Sequence, residues 1–150
     1  MKQTILLICL NKQYAQKIAE IICDEIGFFY LDCEELLAYE LANREQILKK
    51  CGIAYLKKQE KKFVKGLTDY SNTVMSMGYE LYTSDNNHQI LNENLLTFYL
   101  ALNIDEFKET EFINKIAYKE RDKDLKKIAT NIINCNNITI SEIVRQITEK

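Results

Sequence analysis

An unbroken apolar run at residues 5–10 constrains the fold of this chain more than any other feature of its sequence. Six apolar residues in a row, without alternation, predict a strand that is buried on both faces. The pattern then changes, because apolar residues recur at helical spacing over residues 14–26 and Gly27 follows where a helix C-cap glycine belongs. A doubly buried strand followed by an amphipathic helix predicts an α/β protein with helices on both faces of its sheet.

The remainder of the chain continues this alternation of strands and helices. Further strands are predicted at residues 28–31, 73–77, 95–102 and 130–135. Helices are predicted over residues 34–70 in two or three pieces with a break at Gly52, over residues 105–127, and at the C-terminus with Ser141 as its cap. The polar residues 84–94, which include the only histidine, His88, predict a loop. The sequence therefore predicts one domain over residues 1–150, a three-layer α/β/α fold with a five-stranded, mostly parallel sheet.

Composition argues against several classes of function. The net charge of −2 gives no general attraction to nucleic acid or to membranes, and no stretch approaches the ~20 apolar residues that a membrane span needs. Five scattered cysteines without a C-x-x-C pair offer no zinc site, so no metal is expected, and their odd number predicts reduced thiols. We therefore predict a cytoplasmic monomer without nucleic-acid or membrane partners.

The order of the first elements resembles that of a known enzyme family. A strand at the N-terminus, a loop, a helix and then a strand ending in an acidic pair are similar to the shikimate kinases, within the wider phosphate-loop (P-loop) nucleoside and small-molecule kinases. That family opens with G-x-x-G-x-G-K-[ST] after its first strand. The same stretch here reads C-L-N-K-Q-Y-A-Q, from Cys9 to Gln16. The resemblance implies a P-loop kinase fold over nearly the whole chain.

The resemblance also implies a phosphate-binding loop, or Walker A loop, that has lost the residues it needs. Cys9, Lys12 and Tyr14 stand at the glycine positions of the family. Ala15 stands at the position of the lysine, and Gln16 at that of the magnesium-binding hydroxyl. Such loops curl backbone N–H groups around phosphate with glycines at positive φ, and Tyr14 in that conformation would cost roughly 1–2 kcal/mol. We therefore expect none of these five residues to bind nucleotide.

Four residues match the substrate side of the family. The motif D-[ST]-D appears as D-C-E, and the resemblance implies that Asp32 would work near the metal and Glu34 on the substrate's hydroxyls. Lys57 stands where a pattern resembling G-E-x-x-F-R carries the arginine that grips the substrate carboxylate, and Arg121 matches a late arginine of the family. The family's arginine-bearing lid has no counterpart between residues 102 and 112.

Each of these residues also has an ordinary structural explanation. Asp32 and Glu34 fit a helix N-cap with an acid in the first turn. Lys57 lies in a basic stretch, residues 44–65, which fits either the solvated face of an amphipathic helix or a surface for an anion or an acidic partner. Pairing at i,i+4 on a helix surface accounts for Arg121.

The sequence leaves three functions open. The leading one is a pseudokinase without catalytic residues or cofactors, which binds a small anion or a protein partner and uses Glu34, Lys57 and Arg121 for the ligand. The alternative is a divergent active kinase that phosphorylates shikimate or another small alcohol with ATP and magnesium, with Asp32 in catalysis. The third is an interaction module that acts through residues 44–65.

Overall fold

A computed structural model describes residues 3–103 and 115–150 and contains a parallel sheet. Its strands are β1 (Ile5–Ile8), β2 (Phe29–Asp32), β3 (Thr73–Met77), β4 (Leu96–Ala101) and β5 (Ile132–Asn134). They lie in the order β2-β3-β1-β4-β5, and each of the described pairs is parallel. The predicted α/β class and the five-stranded sheet are confirmed.

Helices connect the strands and cover the sheet. They are α1 (Lys12–Ile26), α2 (Cys33–Glu40), α3 (Arg44–Cys51), α4 (Ile53–Leu67), α5 (Tyr79–Thr83), α6 (Asn87–Asn94), α7 (Lys115–Ile128) and α8 (Ile140–Thr148). The predicted break at Gly52 separates α3 from α4. The first part of the helix predicted over residues 105–127, and most of the interval searched for a lid, lie outside the described residues. No helix within the described ranges is both long and apolar enough for a bilayer crossing.

Alternate residues of β1 divide the core into two layers. Ile5 and Leu7 pack in the layer that contains the buried faces of α1 and α8. Leu6 and Ile8 pack in the opposite layer, with the buried faces of α2, α4 and α6. Because successive strand side chains point to opposite faces, one short strand supports both layers. This arrangement confirms the predicted α/β/α order.

The prediction of a loop over residues 84–94 is wrong. A short 3-10 turn at Ser84–Asn86 leads directly into α6, which therefore contains His88. Leu91 is fully buried, and the side-chain amide of Asn87 donates a hydrogen bond of 2.9 Å to the carbonyl of Leu81. Burial of the leucine and this amide contact stabilise a helix that the polar composition did not indicate.

The last helix is capped by Thr139 and not, as predicted, by Ser141. The hydroxyl of Thr139 accepts a hydrogen bond of 3.2 Å from the backbone N–H of Glu142. Thr139 and Glu142 therefore have the spacing of a capping box. Ser141 lies inside the helix, which starts at Ile140, two residues earlier than a cap at Ser141 would place it, and Ile140 packs against the core.

Replacing the capping threonine tests this assignment. Thr139→Ala should lower the free energy of unfolding by about 1 kcal/mol, because the N–H of Glu142 loses its acceptor. Ser141→Ala is the matched control and should change stability by less than about 0.5 kcal/mol. Urea denaturation of both variants measures the difference, and a larger loss for Ser141→Ala would contradict the observed cap.

Candidate functional site

The candidate site lies at the carboxyl ends of β1, β2 and β3, which are neighbours in the sheet. The turns that leave these strands carry Asn11 and Lys12, the pair Asp32 and Glu34, and Gly78. Parallel α/β sheets bind ligands beyond this edge. The predicted residues Asp32 and Glu34 lie here, and the structure brings the three turns into direct contact.

The turn between β1 and α1 is a short, capped connection. Helix α1 begins at Lys12, two residues earlier than predicted, so three residues join it to the strand. The side-chain oxygen of Asn11 accepts a hydrogen bond of 3.0 Å from the backbone N–H of Tyr14. Asn11 itself has φ −110°, and no residue from 9 to 16 has a positive φ. The backbone here forms an ordinary strand-to-helix turn.

Three other residues of this segment, Cys9, Tyr14 and Ala15, pack against the core, and Gln16 lies at the surface. Cys9 and Ala15 are buried in the core layer of α1 and α8, and burial raises the pKa of the Cys9 thiol to about 12. Tyr14 is half-buried against the same layer, where its side-chain hydrogen bond with Cys135 opposes the increase in the pKa of that thiol caused by burial. Gln16 donates a hydrogen bond of 3.0 Å to the carboxylate of Glu20 at the surface.

Asp32 joins the ends of two strands and also starts a helix. Its Oδ2 lies 3.0 Å from Nζ of Lys12, and its Oδ1 accepts a hydrogen bond of 3.2 Å from the N–H of Glu35. The side chain of Asp32 is 6% exposed, whereas that of Lys12 is 61% exposed. The hydrogen bond to Asp32 raises the pKa of Lys12. Both oxygens of Asp32 therefore bind groups of the chain itself. Asp32 is the N-cap of α2, which is one of the two explanations that the sequence analysis gave for it.

Glu34 connects the end of β2 with the end of β3. Its Oε1 accepts a hydrogen bond of 2.7 Å from the backbone N–H of Gly78. A Cβ atom at position 78 would lie 3.3 Å from the same oxygen, so the close approach favours glycine. The other oxygen, Oε2, is buried and has no hydrogen-bond partner among residues 3–103 and 115–150. Burial raises the pKa of Glu34 to about 7, and the N–H of Gly78 opposes that shift.

Arg121 crosses from α7 to α5, the helix that follows β3. Its Nη2 lies 3.4 Å from a carboxylate oxygen of Glu80, and its guanidinium carbon lies 4.8 Å from the centre of the Tyr79 ring. The hydroxyl of Tyr79 in turn donates a hydrogen bond of 2.8 Å to Asp124. Arg121 therefore contacts a different helix, whereas the sequence analysis had suggested ion pairs with residues of its own helix.

Lys57 is the predicted site residue that the structure does not connect to the others. It is exposed on α4 and forms no hydrogen bond or ion pair with the residues that the structure describes. The predicted site residues did not include Asn11 and Gly78. A polar residue just before a helical pattern signals an N-cap, so Asn11 could have been found. The contact of Gly78 with Glu34 spans 44 residues and has no local signal.

The raised pKa of Glu34 predicts a dependence of stability on pH. A carboxyl group whose pKa is higher in the folded chain holds its proton longer when folded, so stability falls as pH rises from about 4.5 to about 7. Glu34→Gln removes this ionisation and keeps an acceptor for Gly78. Between pH 5 and pH 8 the variant should gain about 2 to 3 kcal/mol relative to the native chain.

Urea denaturation at several pH values measures the effect, and Glu35→Gln is the matched control. Glu35 is the exposed neighbour on α2, and its variant should follow the native pH profile. Parallel profiles for the native chain and Glu34→Gln would contradict the assignment.

Within the described ranges, no group of three or more histidine, cysteine, aspartate or glutamate side chains could hold a metal ion. The acidic residues at the strand ends contact other groups of the same chain. Asp32 binds Lys12 and the start of α2, and Glu34 binds Gly78.

Comparison with solved structures supports the predicted P-loop kinase fold. The chain is similar to a shikimate kinase from Aquifex aeolicus VF5, with 18% identity and a TM-score of 0.70 over 97% of this chain and 94% of that one. It is also similar to a shikimate kinase from Acinetobacter baumannii in complex with shikimate (15% identity, TM-score 0.69, 98% and 91% covered). A gluconokinase from Sinorhizobium meliloti 1021 matches at 12% identity and a TM-score of 0.62, with 97% and 89% covered.

Sequence comparison identifies the family. No curated protein matches the chain. The family model described as shikimate kinase matches residues 16–150, and the match begins after Ala15, so the whole β1–α1 connection lies outside it. This match covers most of the chain and agrees with the fold and with the acidic pair at the end of β2. The chain belongs to the shikimate kinase family.

Proposed function

We propose that this member of the shikimate kinase family is a pseudokinase with a degenerate Walker A loop. It keeps the fold, does not transfer a phosphoryl group from ATP, and acts by binding a small anion or a protein partner. The observation that carries the proposal is the capped turn between β1 and α1. There the side chain of Asn11 occupies the N–H of Tyr14, one of the groups that a phosphate would need.

The contacts of this segment leave little for a nucleotide to bind. A P-loop holds phosphates with curled backbone N–H groups, a lysine, and magnesium on a hydroxyl. Here the backbone of residues 9–16 has no positive φ, and Ala15 is buried where the family has its lysine. Lys12, the nearest cation, is held by Asp32. Electrostatic stabilisation of this kind supplies several kcal/mol in enzymes, so its loss removes most of the rate.

The strand-end contacts favour a protein partner over a small anion. Lys12 pairs with Asp32, and Arg121 pairs with Glu80, so an anion at either cation would compete with a carboxylate. Lys57 is exposed and has no such competitor among the described residues, but it lies outside this cluster. The five cysteines are free, which fits a reducing compartment, and we include a cytoplasmic monomer in the proposal.

Nucleotide titration tests the proposal. A ligand present at 100 times its Kd stabilises a protein by about 2.7 kcal/mol. We expect millimolar ATP with magnesium to leave the melting temperature of the native chain unchanged. The Aquifex aeolicus shikimate kinase, measured under the same conditions, is the positive control. A coupled assay with shikimate should show no ATP-dependent turnover above the buffer rate.

Two substitutions identify the source of any activity that is found. Turnover of shikimate that Asp32→Asn abolishes would overturn the pseudokinase and support the active kinase. If ATP raises the melting temperature, Lys12→Ala should remove the increase and Lys17→Ala, on the same helix, should not. That result would identify Lys12 as a phosphate contact.

A further inference from the structure

A groove between α2 and α4 lies apart from the strand-end contacts. Apolar side chains line it, namely Leu36 of α2, Leu41 just after α2, and Phe63 and Leu67 of α4. It encloses about 360 Å³, which is near the lower end of the range for binding pockets. Gln59 and Lys62 line it on the α4 side and Glu40 on the α2 side. We refer to it as the α2–α4 groove.

A row of lysines runs along the exposed face of α4 beside this groove. Lys58, Lys62 and Lys65 are spaced by four and three residues, so they lie on one side of the helix. All three are exposed, and none of their side chains forms an ion pair or a hydrogen bond within the described ranges. We refer to them as the lysine row.

Two other basic residues of the same region are already paired. Lys61, on the neighbouring side of α4, contacts the carbonyl and the carboxylate of Asp85. Arg44, at the start of α3, lies 3.5 Å from the carboxylate of Glu60. Three of the unpaired lysines of this region, Lys58, Lys62 and Lys65, thus lie on one side of α4 beside the groove, although the chain as a whole has a net charge of −2.

Exposed aromatic rings flank the same surface. Tyr55 on α4 is 45% exposed and precedes Lys58 by one helical turn. Tyr70, which lines the groove, is 41% exposed. An apolar pocket and exposed aromatic rings are features of a surface that binds a partner. Unpaired charge of one sign beside it attracts a partner of the opposite charge.

We propose that the α2–α4 groove docks an acidic segment of a protein partner. One large apolar side chain of that segment enters the groove, and its carboxylates face Lys58, Lys62 and Lys65. This inference rests on the proposed function, because it assigns the binding role to a particular surface. It is the mode in which an amphipathic segment places its apolar side chain in a groove and its charges on the rim.

The composition of the groove decides between an acidic protein and a nucleic acid. Phosphates would interact with the lysine row, but they gain nothing from a lining of leucine and phenylalanine side chains. An acidic peptide with one apolar residue uses both features. Glu40 lies at the opposite wall and disfavours a uniformly acidic occupant, so the apolar side chain must supply part of the affinity.

A peptide library tests the proposal on the full chain. The probes are fluorescent 15-residue peptides with one phenylalanine or leucine among glutamates at varied positions, measured by fluorescence anisotropy. We expect the best peptide to bind at least tenfold more tightly than the same peptide with serine in place of its apolar residue. Binding should weaken at higher salt, because the rim charges are exposed.

Charge reversal at the groove has a matched control on the adjacent helix. The variant Lys58→Glu with Lys62→Glu should weaken the best peptide at least tenfold. The variant Lys49→Glu with Lys50→Glu makes the same change of charge at exposed positions of α3, outside the groove lining, and should weaken it less than threefold. Unchanged circular dichroism and melting temperature confirm that both variants fold.

Four outcomes would overturn the proposal. The first is that no peptide of the library binds, and the second is that both charge-reversal variants weaken peptide binding equally. The third is that a single-stranded RNA binds more tightly than the best peptide and that the groove variant abolishes this binding. The fourth is that the chain forms a dimer in solution, which the groove variant dissociates. The last two would assign the groove to another occupant. The ATP titration is independent, so a nucleotide-dependent melting shift with intact peptide binding would reject the pseudokinase and leave the groove assignment standing.

Discussion

The complete burial of β1 is the constraint on which the rest of the structure depends. This strand pairs with β3 on one side and β4 on the other, and its side chains enter both core layers. Each layer requires helices to cover it, and parallel pairing requires each connection to return along the sheet. The strand ends therefore meet along one edge, and the contacts of Lys12, Asp32, Glu34 and Gly78 follow from that convergence.

At that edge the polar groups are largely satisfied by one another. Asn11 caps α1, Asp32 caps α2 and binds Lys12, and Glu34 accepts the N–H of Gly78. In an enzyme of this fold the same edge would keep charged groups available for phosphate and metal. Oε2 of Glu34, which is buried at this edge and has no partner in the described residues, belongs to a carboxyl group with a pKa near neutrality. The free-energy cost of burying this oxygen is lower when the carboxyl group of Glu34 is protonated, because the group then carries no charge.

The elements with local signals were predictable, and the contacts between them were not. The apolar run at residues 5–10 became β1, and Gly27 adopts the left-handed conformation that its position indicated, with φ 73°. Helix α6 was missed because its stability depends on the burial of Leu91, which no local pattern revealed. The acidic pair was found from its place after β2. Its partners Lys12 and Gly78 were not, because they follow other strands of the sheet and are distant in sequence.

The position of Ala15 limits the evolutionary routes open to this chain. Its side chain lies on the buried face of α1. A lysine at this position would therefore enter the core before any phosphate loop existed to receive it. Rebuilding such a loop would also remove the Asn11 cap, at a cost of about 1 kcal/mol. Either step alone thus loses stability without gaining affinity for nucleotide. Most proteins are only marginally stable, and selection would remove such intermediates. A phosphate loop could therefore arise at this turn only by several substitutions at once.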